Sequence, residues 1–436
     1  MNTDTEIKYI SSSYKGVPEL VDSYGNLNNL LKVVLNEGFN KQKVIDNYID
    51  NNRIIITLDL NHGYIKNQVI ILEGSLEPSF NKEYRILESS ATTIVVYTDS
   101  ENSIIPVEDF LNIKVAPLGY TILYENEEEG VVCFKNKSLK SPGILKVIDK
   151  LPPNGYNLSW AKYARVVIGN SIDTTTGLFI DNNKAPYHNK YPDIELTGDG
   201  IMGEEGIHGF AKWDYAIYKS NSNFTEHSVA NGDYPTDWRI IGDGNTFYLM
   251  IRPMGKNNFS FNILGFGNYV SDHKEETLNI CLQARYGLVK AKEGWFQTYV
   301  NSGCSFGALD VEYSGFLLAN IYNKIKNTKD YGSYQSEGLM LSSDTRYQPW
   351  NSSQIVNLNP ITGKRLTSKL LIKDSDNTLR GRHRGIEIFY GTVSLPDESF
   401  IDNGLVLNIQ EPQSTSTSTN RVIPIYFSMK NWEQLD

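Results

Sequence analysis

Cysteine is scarce in this sequence, which holds only Cys133, Cys281 and Cys304. The three are far apart, odd in number and without zinc-finger or redox spacing, so neither a disulfide framework nor a structural metal is expected. Three thiols kept reduced in a cytosol are the simplest reading. Long apolar runs are also missing. No stretch approaches the length that spans a bilayer, and the opening MNTDTEIKYISSSYKG lacks a basic segment followed by an apolar one, so no secretion signal is visible. Positive charge is in deficit, with 41 Lys plus Arg against 51 Asp plus Glu and no long block of either sign. Wrapping nucleic acid needs clustered cations to neutralise phosphates, so neither a nucleic-acid nor a membrane partner is expected. The one basic knot, Arg380-Gly-Arg-His-Arg384, is too short to change this. It reads as a solvated turn or a set of inter-chain salt bridges, with an anion site as the alternative.

Signatures of chemistry are equally thin. Leu264-Gly-Phe-Gly-Asn268 has two glycines after an apolar run but no third glycine and no following helix, and Ile361-Thr-Gly-Lys364 lacks the preceding glycines of a phosphate loop. No pair of histidines has the spacing that puts both on one helical face. His62 lies in a glycine-bearing turn, His208 lies between glycines, and His188, His227 and His273 are isolated among polar residues. Gly303-Cys-Ser-Phe-Gly307 matches the nucleophile elbow. The elbow, however, exposes its serine between a strand and a helix of an alternating β/α fold, and the residues after Gly307 reach another glycine, Gly315, within a few positions. A glycine-flanked turn is the plainer reading of Ser305, and nothing in the sequence ties His383 to it.

Carboxylates are plentiful. Glu195, Asp199, Glu204, Glu205, Asp214 and Asp243 fall near Trp213, Tyr215 and Trp238. Two carboxylates at a suitable separation suffice for glycoside hydrolysis, and aromatic rings beside acids would suit a sugar-binding cleft. The same composition describes an acidic, Tyr-rich contact surface. No catalytic, cofactor-binding or metal-ligating residue is therefore assigned, and the chain is not expected to be an enzyme.

What is present is the material of a mainly β protein. There are 27 Tyr and 34 Gly, and the hydrophobic share of 40% is enough for a folded core. One helix signal stands out from Ser23, with Leu27, Leu30, Leu31, Val34 and Leu35 on one face and Gly38 as its stop. Lys41 to Tyr48 is expected to add a turn or a short second helical piece. The period then changes to two. Arg53–Leu58, Gln68–Leu72, Tyr84–Leu87 and Thr92–Tyr97 read as strands of a small barrel or sandwich, with Lys114–Pro117 as its exit. Further strands are expected at Ala164–Ile168, Thr246–Ile251, Phe259–Leu264, Leu278–Leu282, Gly385–Tyr390 and Arg421–Phe427. The division expected is a helical segment over 1–50, a small β module over 51–115 and a larger β-rich domain over 116–436. Within the last, 181–236 and 331–360 read as long loops, and Ser414–Thr419 as low complexity.

Several phrases resemble a family of structural virion proteins of tailed bacteriophages. They begin with Lys15-Gly-Val-Pro-Glu-Leu-Val-Asp-Ser-Tyr-Gly-Asn-Leu27, Leu30-Leu31 and Asn36-Glu-Gly-Phe-Asn40. The likeness continues through His62-Gly-Tyr64, Phe80–Tyr84 and Lys114–Tyr120, then in islands at Trp238–Asp243, Phe247–Leu249, Phe266–Asn268 and Leu379–Gly381. The chain departs from the family at Gly267-Asn268, where Gly-Asp is frequent, and over 181–236 and 331–360. The resemblance implies a non-enzymatic component of the tail, neck or baseplate, made in the bacterial cytoplasm and located in the virion. It implies partners that are copies of itself and other virion proteins, and no cofactor. A receptor- or carbohydrate-binding adhesin is the alternative, with host-surface glycan as ligand, and a polysaccharide-degrading enzyme is the third reading.

Overall fold

A computed structural model gives the fold. It describes residues 3–99, 111–152, 162–180, 184–185, 193–197, 210–216, 235–252, 261–272, 279–285, 316–321, 333–334, 367–373, 379–389, 398–401, 404–410, 422–430 and 432. The protein is mainly β, and among these residues the strands form three antiparallel sheets of thirteen, seven and six strands. No described helix is long and apolar enough to cross a membrane.

The seven-stranded sheet runs in the order Phe39–Lys43, Asn112–Val115, Val69–Glu73, Glu83–Ser89, Thr93–Tyr97, Arg53–Thr57, Asp46–Asp50. Alternation sets its inside: in Arg53–Thr57 only Ile54 and Ile56 are buried, and in Thr93–Tyr97 only Ile94 and Val96. The two ends of the order are one run of chain. Between them lie Val44, whose N–H donates to Leu111 O at 2.9 Å, and Ile45, whose N–H donates to Thr57 O at 2.9 Å. One bent strand therefore serves both edges and closes the sheet on itself, which removes unpaired edges. This corrects the helical expectation for Lys41–Tyr48. Val44 and Asn47 point inward from that stretch, a strand pattern with no apolar period of 3.6. The hairpin that follows turns on Asn51 and Asn52, both with positive φ (47° and 61°), as a two-residue loop between twisted strands requires.

The helix runs Asn26–Lys32 and continues as a π-helical turn, Val33–Glu37. Leu27, Leu30, Leu31, Val34 and Leu35 are all fully buried. A seven-residue helix is marginal alone; burying five such side chains, at roughly 2 kcal/mol each, is what holds it. It does not open the chain as a free N-terminal element, because the strand Lys8–Ser11 precedes it. The turn ends at Gly38, with φ 79°, where a Cβ would lie 2.4 Å from Val115 O. The backbone N–H groups of Leu118, Gly119 and Tyr120 then donate to Val34 O and Leu35 O at 2.8–2.9 Å. The helix thus ends on the segment that leaves the barrel.

The large sheet follows the path Lys8–Ser11, Asp237–Gly242, Thr246–Arg252, Asn262–Asn268, Ile280–Arg285, Ala211–Ala216, Lys162–Gly169, Ile144–Ile148, Val131–Lys135, Thr121–Asn126. Ala211–Ala216 lies within 181–236, which was expected to be loop, yet it is a central strand buried along its whole length. The six-stranded sheet runs Val270–Ser271, Leu379–Phe389, Val422–Ser428, Gly404–Gln410, Glu398–Ile401, with Thr367–Lys373 beside Leu379–Phe389. The basic knot is therefore part of a strand and not a turn. Apolar contacts pass without a break from the barrel through the helix into the large sheet and on to Ile386, Phe427 and Trp432.

The first strand is fastened to the barrel by Arg85, a residue only 3% exposed. Its guanidinium donates to Ile7 O and Asn67 O, each at 2.7 Å, and to Asp4 O. Lys8 meets Glu83 at 2.9 Å beside it. Replacing Arg85 by Ala strands three carbonyls. We expect a loss of roughly 2–4 kcal/mol in urea unfolding and faster amide exchange selectively at Lys8–Ser11. Unchanged exchange there would show that the clamp does not hold the strand.

Candidate functional site

Three buried clusters of charge stand out among the described residues. The first lies at the end of strand Ile144–Ile148, at Asp149, which is 2% exposed. Asp149 Oδ2 accepts the N–H of Leu27 at 2.9 Å and of Asn28 at 3.2 Å, while Tyr215 donates its hydroxyl to Oδ1 at 2.7 Å. The helix has glycine, Gly25, at its N-cap and no side-chain cap of its own. A carboxylate from the large sheet supplies the missing acceptor at the positive end of the helix. Burial outweighs these favourable contacts and raises the Asp149 carboxyl to about 6. Tyr24, whose hydroxyl burial also pushes up, stands nearby, as does the Lys162–Asp22 pair at 2.9 Å.

The second cluster joins the six-stranded sheet to the large one. Arg384 meets Asp243 through Nη2–Oδ2 at 2.9 Å and Nη1–Oδ1 at 3.2 Å, both side chains being under 10% exposed. Asp243 also accepts the N–H of Asn245 and of Thr246, each at 2.8 Å, and Tyr248 donates its hydroxyl to Arg384 O at 2.9 Å. Two-point geometry with further hydrogen bonds to the carboxylate is the condition under which a buried ion pair is tolerated. Gly267 faces the same turn. At φ 145° its Cβ would lie 2.3 Å from Asn245 O, so the glycines of Leu264–Asn268 serve close packing within a strand.

The third cluster is on the opposite face of the large sheet. Glu195 Oε1 is 2.6 Å from Lys184 Nζ and 3.4 Å from Lys146 Nζ, all three side chains being essentially inaccessible. Arg165 donates to Glu195 O at 2.8 Å and Leu196 O at 3.1 Å. These contacts hold the excursion after Gly169 over a second apolar cluster that includes Cys133, Ile148 and Phe179.

The described residues among those that the sequence offered for chemistry fall into these ties or are buried. Trp213, Tyr215 and Trp238 are fully buried, and Trp213 donates to Gln283 O at 2.9 Å. They form no platform for a sugar. Asp214 is buried on its strand, Asp243 is paired with Arg384, and Glu195 with the two lysines. His62 accepts the N–H of Tyr64 at Nδ1 (3.0 Å), which leaves Nε2 protonated to donate to Ser90 O at 2.9 Å; burial lowers its pKa. His383 is buried beside the Tyr248 ring and is pushed down to about 3, which makes it a weak base. Burial pushes the Cys133 and Cys281 thiols up to about 12, so they are inert. In the basic knot, Arg382 pairs with Asp272 at 2.9 Å and Arg384 with Asp243, both within the chain. Cys304, Ser305 with its flanking glycines, His188, His208, His227, His273, Asp199, Glu204, Glu205 and Ile361–Lys364 lie outside the described residues.

The tying residues Asp149, Arg165, Lys146 and Arg85 were not singled out from the sequence. Three of them carry a signal all the same: ILKVI, YARVVI and YRIL each place one cation inside an apolar run, and a charge there must be paired. Among the described residues no group of three or more His, Cys, Asp and Glu is placed to hold a metal ion. No family model matches the chain, and no curated protein matches it.

Asp149 gives a pH signature with a definite sign. Its folded pKa lies above the ordinary carboxylate value, so the folded state holds the extra proton. The resulting stabilisation is fully present below about 3.8 and is lost as pH rises through about 6. Compared with Asp149→Asn, the native chain should gain roughly 2 kcal/mol on going from pH 7 to pH 4 in denaturant titrations. A constant difference across that window would refute the assignment. Arg384→Met, which leaves Asp243 buried and unpaired, should cost roughly 3–5 kcal/mol, and the double change with Asp243→Asn should recover part of it.

Proposed function

We propose that this protein is a structural component of a tailed-bacteriophage particle, in the tail, neck or baseplate, acting by packing against neighbouring copies and other virion proteins. One observation supports this above the others: the phrases that carry the resemblance contain residues that pack the modules together. Gly38 sits against Val115, Asn36 donates to Tyr120 O at 2.8 Å, and Tyr64 donates its hydroxyl to Ile113 O at 3.1 Å and to Asn40 O. Trp238 and Phe247 are core, and Asp243 holds Arg384. The likeness therefore follows the scaffold, as it would in proteins whose role is shape.

The use of its charges fits the same role. Acids and cations that could serve a site instead fix the angle between sheets, which gives a rigid block. Rigidity lowers the entropy lost when copies assemble, and repeated weak contacts then add.

Quantitative mass spectrometry of particles of the encoding phage, purified and washed at high salt, tests the reading. Several copies per particle, in a fixed ratio to the other structural proteins, are expected. Absence from washed particles, with the chain abundant in the lysate, would overturn it.

A further inference from the structure

Tyr215 has one hydroxyl hydrogen and two acceptors for it. Its oxygen lies 2.7 Å from Asp149 Oδ1 and 3.2 Å from the carbonyl oxygen of Ser23. The side chain is fully buried, and a phenol donates to one acceptor at a time. The proton state of Asp149 decides which one. Asp149 Oδ2 already accepts the N–H groups of Leu27 and Asn28. A proton taken up by the carboxyl therefore sits on Oδ1, where the Tyr215 oxygen is the acceptor within reach. An ionised Asp149 can only accept, and it draws the Tyr215 hydrogen to itself.

We propose that Asp149, Tyr215 and Ser23 form a proton-driven strap on the turn that enters the helix. With Asp149 protonated, the chain of bonds runs from its O–H to the Tyr215 oxygen and from the Tyr215 O–H to Ser23 O, which holds the turn against the large sheet. With Asp149 ionised, the Tyr215 hydrogen turns to the carboxylate, and Ser23 O keeps the N–H of Asn26 at 3.3 Å. The helix stays capped in both states, since Oδ2 accepts its N–H groups in each. What changes is the hold on the stretch before it. That stretch is anchored behind at Leu20, whose carbonyl accepts the N–H of Thr236 at 2.7 Å, while Ser23 and Gly25 are exposed. The titratable and charged groups around the strap are Tyr24 on the turn, Asp22 with Lys162 at 2.9 Å, and Tyr163 and Arg165 on the neighbouring strand. Lys150 and Glu129, paired at 3.1 Å, lie outside beside the Asp149 backbone. Burial raises the phenols of Tyr24 and Tyr215 and brings the Asp149 carboxyl up to about 6. The carboxyl thus exchanges its proton where the phenols keep theirs. The strap is fastened below about pH 6 and open above it.

The strap belongs to the chain itself, whatever its place in a particle, and is tested on the purified full chain. Its reporter is the carbonyl resonance of Ser23, which moves downfield when that oxygen gains a hydrogen bond. Isotope labels on serine carbonyls and tyrosine nitrogens select the links Ser13–Tyr14, Ser23–Tyr24 and Ser333–Tyr334, and Ser23→Ala assigns the one needed. The Ser23 signal should move downfield as pH falls from about 8 to about 5, with a midpoint near 6. Asp149→Asn, whose amide donates to Tyr215 as the protonated acid does, should hold the signal at its low-pH position throughout. Tyr215→Phe should hold it at the high-pH position. Amide exchange over Val21–Tyr24, corrected for its intrinsic pH dependence, should run about three- to tenfold faster above the midpoint than below it. A Ser23 signal that does not titrate overturns the strap, as do equal exchange rates on the two sides of the midpoint. So does a titration that survives in Tyr215→Phe, since it would report the field of the carboxylate and not a hydrogen bond given and withdrawn.

Discussion

A carboxylate buried beneath the start of a helix sets the relation between the two halves of this chain. Asp149 belongs to the large sheet, and the N–H groups it accepts belong to a helix whose far end holds Leu118–Tyr120, the exit from the barrel. One side chain therefore fixes the helix at its start, and the helix in turn fixes the barrel at its end. The cost of burying that charge appears in its raised pKa, and the orientation it enforces is what offsets the cost. Apolar burial alone could not do this, because hydrophobic attraction is large but non-directional.

The other junctions follow the same logic with different chemistry. Arg85 uses one guanidinium to hold three backbone carbonyls, so the Lys8–Ser11 strand stays in place without a loop to carry it. Arg384 and Asp243 use a two-point ion pair to fix one sheet against another. Glu195, Lys184 and Lys146 hold an excursion flat on the outer face. Each tie joins segments distant in sequence, and each is expensive to break from one side only. Together they specify one arrangement of three sheets, where greasy surfaces by themselves would allow several.

Much of this was legible in the residues, and what was not has a common cause. The barrel strands showed as short β-branched runs between turn residues, as in Arg53-Ile-Ile-Ile-Thr57, although the alternation of that strand is one of burial and not of residue type. The helix showed through the spacing of its leucines. Ala211–Ala216 did not, because a strand buried on both faces need not alternate, and this one carries Lys212 and Asp214 within it. Lys212 lays its ammonium 4.3 Å from the centre of the Tyr163 ring. The basic knot was misread for the same reason, since a run of arginines looks solvated until its acids, Asp272 and Asp243, arrive from more than a hundred residues upstream. Asp149 carried no motif at all. An acid following an apolar strand is ordinary, and only the folded chain brings a helix without a cap of its own over it.

The pairing of Lys8–Ser11 with Asp237–Gly242 has a consequence for synthesis. Every partner within the barrel lies between Phe39 and Val115, so those strands can meet soon after they leave the ribosome. The first strand must wait until its partner emerges, roughly ten to fifty seconds later at ~5–20 residues per second. During that interval Ile7, Tyr9 and Ile10 have no sheet to enter, and a nascent chain is at its most exposed to chaperones and to misplaced neighbours at its earliest-made end.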